Sequence, residues 1–224
     1  MEPTETGRLA LLSKLYEDDT VQGDARRLEQ AGLLMYRLRG SRAAIDLFSD
    51  MLESPDPAWV SKALESLAWH DHFFGAANAP SSRLLARIRG LLADADVADV
   101  AVVTHAARCF LNWRLGVEST LLVALKRRSA PRPWAAAAAL ALQAGGVAEA
   151  AAQRFADRVR RGRIPAGGDS IERLLAAHGR GGEAAFDLEL EDIAAEHVRI
   201  RRHPSEIGSR DVSGTDGQRY PRRC

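Results

Sequence analysis

The chain has 224 residues, of which 46% are hydrophobic and 27% charged, with a formal net charge of +1. That profile excludes a strongly basic nucleic-acid polypeptide and fits a soluble domain, or a short array of repeats, able to bury its own core. The longest apolar candidate, "WAAAAALALQAGGVAEAAA", is broken by two glycines and Glu149, which argues against a membrane span.

Taken in chain order, nearly every segment reads as helix. Residues 4–16 predict an N-terminal helix, and the next helix is expected to begin near 22. Ser41 caps a stripe of Ala44, Ile45, Phe48, Met51 and Leu52 at helical spacing. Val60, Ala63, Leu64 and Leu67 repeat the pattern after "SPDP"; Leu84, Leu85, Ile88, Leu91 and Leu92 do so after Ser81 and Ser82. Val100, Val103, Thr104, Ala107 and Leu111 form the next stripe. Further starts fall near 118, 132, 147, 169 and 183, separated by "SAPRP", "AGG" and "RIPAGGDS". No stretch alternates with period two and no Asn-Gly hairpin signal occurs, so an all-α fold is expected. The tail from His203 is polar and aperiodic and predicts disorder.

The alternate starts 22, 57, 96, 132 and 169 step by 35, 39, 36 and 37 residues, a period of helical hairpins. Three first helices, "DPAWVSKALESLAW", "DADVADVAVVTHAA" and "PRPWAAAAALALQA", place turn or capping residues before a small-apolar stripe. In this the chain resembles the HEAT-like family of α-solenoids over roughly residues 22–200. The resemblance implies a right-handed α-solenoid of about five helical hairpins, stacked because one hairpin cannot bury both its stripes alone. The expected organisation is a capping helix in 1–21, the repeat domain in 22–202 and a disordered tail in 203–224. A non-repetitive helical bundle is the alternative architecture. The second helices step by 40, 37, 29 and 36, which compresses the fourth hairpin.

"LAWHDHFFG", residues 67–75, sets His70 and His72 on either side of Asp71 and beside three aromatic rings. Residues two apart on a helix point about 200° from each other, whereas paired helical ligands need a spacing of about four. The stretch therefore reads as a hairpin corner with no metal. His105 and Cys109 stand at i and i+4, but inside the apolar run "VAVVTHAARCFLNW", where a free cysteine behaves as a small hydrophobe. No phosphate loop or nucleophile elbow occurs, so no catalytic residue and no cofactor are expected. The two cysteines, Cys109 and Cys224, make no disulfide framework, and the N-terminus lacks a basic signal region; a cytoplasmic protein is expected. Three lysines against 28 arginines suit a bacterial, GC-rich coding sequence.

The charge is unevenly distributed. Residues 131–182 carry eight basic and four acidic groups, while residues 183–224 carry seven and nine. Arg154, Arg158 and Arg161 form one helical stripe, and Arg127, Arg128 and Arg132 stand on nearby loops. These six are the candidate partner-binding residues, for a protein with an acidic surface. The expected function is a non-catalytic module for protein–protein interaction, of a scaffolding or regulatory kind. The alternative implied by the HEAT-like resemblance is a DNA-binding enzyme of the alkylpurine DNA glycosylase type. The 6% aromatic content and the +1 charge favour that reading less.

Overall fold

The computed structural model describes residues 3–17, 25–94, 99–126, 133–165 and 167–202. Within them the chain is all-helical: α1 (Glu5–Glu17), α2 (Ala25–Arg37), α3 (Arg42–Met51), α4 (Pro57–Ala68), α5 (Ser82–Ala93), α6 (Val100–Asn112), α7 (Ser119–Lys126), α8 (Ala135–Ala144), α9 (Glu149–Arg160) and α10 (Gly168–Arg202), with a 3-10 turn at Phe74–Ala76. No strand occurs among the described residues, and no described helix is long and apolar enough to cross a membrane. The predicted tail, 203–224, lies outside them.

Local chemistry sets the helix starts. Asp56 accepts from the Ala58 N–H and precedes Pro57, whose missing N–H is harmless at a first helical position. Ser81 caps α5 through the Leu84 N–H, and Asp99 caps α6 through the Val102 N–H. The expected starts near 169 and 183 fall within α10, which bends at Gly181 and Gly182. Gly182 takes φ 64°, ψ −149°, a conformation open to glycine alone. The arm after the bend folds back on the arm before it, since Arg173 reaches both Glu189 (2.8 Å) and Glu196 (2.7 Å).

Two rows of helices enclose the core. In one, α2, α4, α6 and α8 lie side by side. In the other, α1 touches α3, Arg87 of α5 donates to the Ser49 carbonyl (2.6 Å) of α3, α5 packs on α7, and α7 packs on α10. Phe48, Leu64, Leu67, Ile88, Phe110 and Phe155 are among the side chains fully buried between them. The alternation changes at the end. α9 packs along α8, and α7 packs against α10 as well as α5. The reason is side-chain size: Ala137, Ala138 and Ala141 of α8 and Ala151, Ala152 and Ala156 of α9 are all buried, and small residues let helix axes approach closely.

Candidate functional site

The α4 corner is built from the end of its helix. α4 stops at Ala68 with Trp69 as its C-cap, whose N–H bonds the Glu65 and Leu67 carbonyls. Side chains of α6 and its C-cap Trp113 add donors to this end: Cys109 Sγ to the Leu64 carbonyl (3.4 Å), Trp113 Nε1 to Leu67 (3.3 Å) and Asn112 Nδ2 to Ala68 (2.9 Å). His70 is fully buried beneath this corner. Its Nε2 donates to the Ser41 carbonyl (3.0 Å) and its Nδ1 accepts the His72 N–H (3.2 Å), which defines a neutral imidazole with both nitrogens engaged. Burial pushes its pKa below the usual histidine value. His72 Nδ1 instead receives the Asn78 amide (3.2 Å), and Asp71 is exposed, its N–H bonded to the Arg39 carbonyl (2.9 Å). The structure thus places the three residues of the H-D-H cluster in three different environments. Among the described residues no three His, Cys, Asp or Glu side chains are grouped to hold a metal.

His105 and Cys109 share α6 but not a task. Cys109 is fully buried, burial pushes its thiol pKa up, and its S–H is spent on Leu64. The half-buried His105 is held below its usual pKa by burial, and its Nδ1 has no hydrogen-bond partner.

The arginine stripe of α9 faces α10. Arg154 Nη2 donates to Asp187 (2.9 Å), and Arg158 pairs with Glu191. Arg161, the C-cap of α9, is exposed. The structure brings the first two together with the acidic arm of α10 after its bend; Arg127, Arg128 and Arg132 lie outside the described residues.

The surface that the sequence reading passed over is a groove of about 470 Å³ between α2 and α4. Leu33 and Tyr36, one turn apart on α2, form one wall; Lys62, Glu65 and Ser66 of α4 and its C-cap Trp69 form the other. Ala31, Met35 and Leu38 already turn the opposite stripe of α2 into the core. Leu33 is 62% exposed, Tyr36 63% and Trp69 42%. Two guanidiniums lie on the rings: Arg39 sits 4.7 Å from the Tyr36 centroid and Arg108 of α6 sits 5.4 Å from that of Trp69. Trp69 is stacked in turn on the exposed Phe74 (5.5 Å). A signal for this groove exists in "LLMYRL", residues 33–38, which holds more apolar residues than one helical stripe can bury.

Searches of the chain against protein-family models, against curated proteins and against solved structures find no match.

Proposed function

We propose that the chain is a non-catalytic module for protein–protein interaction, a HEAT-like stack of helical hairpins in the cytoplasm that docks a protein partner. One observation carries this reading. The α2–α4 groove exposes Leu33, Tyr36 and Trp69 together, whereas apolar side chains scattered singly over a surface would call for no explanation. Aromatic and arginine side chains are also those enriched at the energetic centres of interfaces. The HEAT-like assignment is supported by the side-by-side packing of the alternate helices α2, α4, α6 and α8. The arginine stripe of α9 is the less favoured docking face, because carboxylates of α10 engage Arg154 and Arg158.

The test is affinity capture from the native host with the intact chain and with a Tyr36→Ala/Trp69→Ala variant, followed by mass spectrometry. A partner retained by the intact chain and lost by a variant of equal melting temperature is expected. Equal capture by both would remove the groove from the interaction.

A second reading is favoured by one feature of the same groove. Aromatic rings beside guanidiniums, as in Trp69 with Arg108, suit a nucleobase stacked on protein. In a DNA-binding enzyme of the alkylpurine glycosylase type these residues would hold the duplex near a carboxylate. A gel shift on alkylated duplex DNA, with base release measured in parallel, separates the readings. Binding that falls steeply with salt and releases base would favour the enzyme.

A further inference from the structure

We infer that the α2–α4 groove takes an acidic peptide segment of a protein partner, with one bulky apolar side chain seated between Tyr36 and Trp69 and its carboxylates on Arg39 and Arg108. The inference rests on the reading of the chain as an interaction module and names the chemistry of what that module binds.

Charge complementarity selects the occupant. The α2 side of the groove presents one cation, Arg39, and one carboxylate, Glu29, at opposite ends. The carboxylate of the opposite wall, Glu65, is engaged by Lys62 at 2.7 Å. Along α2 the groove then runs from Glu29 through Leu33 and Tyr36 to Arg39, an acidic mouth, an apolar middle and a cationic end. Trp69, on the far wall, carries Arg108 at the same end.

The state of those two arginines matters most. A guanidinium lying on an aromatic ring uses its face for the ring and keeps its in-plane N–H groups free to fork onto a carboxylate. The ring also holds it in place, which reduces the ordering cost of capturing a ligand. Arg39 has a carboxylate neighbour of its own, Asp71, but only at 3.9 Å and with both side chains about half exposed or more. Such a contact is weak and readily exchanged for a better one. A nucleic acid would meet the same cations, but its phosphates would also meet Glu29 at the groove mouth. An acidic peptide avoids this repulsion by placing its apolar anchor and carboxylates at the other end.

The experiment pans a random displayed peptide library on the full chain, then measures the enriched peptides by fluorescence anisotropy. Peptides combining Asp or Glu with Trp, Phe or Leu are expected, with binding that weakens as salt rises. Arg39→Gln/Arg108→Gln should weaken them by about tenfold or more, the loss of charge-assisted bonds, at unchanged circular dichroism and melting temperature. Should Gln disturb the rings, Arg39→Glu gives an independent check: its lost affinity should return when the peptide's acidic residue is changed to lysine. Enrichment of neutral or basic peptides, or of peptides that ignore both variants, would overturn the inference while leaving the interaction-module reading intact. No enriched peptide, together with a shifted 20-bp DNA probe that the double variant fails to shift, would overturn both.

Discussion

His70 holds the α2–α3 turn to the end of α4, through its bond to the Ser41 carbonyl, and orders the turn after it through the His72 N–H. Replacing it by alanine leaves the Ser41 carbonyl and the His72 N–H without these partners and opens a cavity. The expected cost is about 2–4 kcal/mol, read from urea unfolding; a loss under about 0.5 kcal/mol would refute the structural role. The same residue sets a pH dependence. Burial lowers the pKa of His70 and of His105 from the ordinary 6.5, so the fold favours their neutral forms. The unfolded chain then takes up protons first. Their contribution to stability is complete above pH 6.5 and is lost as pH falls through the folded values. The unfolding midpoint should therefore drop on acidification below that pH, and drop less in a His70→Gln variant. With both nitrogens of His70 engaged, the purified chain should hold zinc or iron well below one equivalent by elemental analysis. One equivalent lost in a His70/His72 double variant would contradict this.

At the scale of elements, two seams differ in kind. α7 and α10 meet at Gly168, where an added Cβ would lie 2.5 Å from the backbone carbonyl oxygen of Leu122. A backbone atom cannot swing aside as a side chain does, so Gly168→Ala must push the helices apart. The expected destabilisation is about 1–3 kcal/mol, with α10 losing hydrogen-exchange protection first. The α9–α10 seam is ionic where it faces water, through Arg154–Asp187 and Arg158–Glu191. Exposed pairs contribute little, so changing Arg154, Arg158 and Arg161 together to glutamine should cost under about 1 kcal/mol. A much larger loss of melting temperature would mean that these arginines organise the C-terminal end of the fold.

For the whole molecule, stability follows from the stacking. Substantial contacts join helices that are close in the chain, and the strongest run α4 to α6, α6 to α8 and α8 to α9. Helices whose contacts are mostly with chain neighbours open from the ends of the chain inward. Amide exchange should be slowest in α6 and α8, which are packed on both sides, and fastest in α1 and the second arm of α10. Uniform protection across all ten helices would show instead that the chain unfolds as a single cooperative unit.

Helix positions and the all-α class were legible in the sequence because both are local. Ser81, Asp99 and the Asp56–Pro57 pair mark starts by satisfying N–H groups a few residues away, and the buried stripes repeat every turn. The corner after α4 was legible in the same way, since His70 and His72, two positions apart, cannot share a helix face. What the sequence could not decide depends on which distant surface each side chain meets. The shift in layering at α9 needed the alanine faces of α8 and α9 to find each other, and the pairing of Arg154 with Asp187 spans two turns of the chain. The groove itself arises only when α2 and α4 pack beside each other, with Arg108 arriving from α6. Leu33 and Tyr36 look like core residues in one dimension; only the packed structure decided that the core had no room for them.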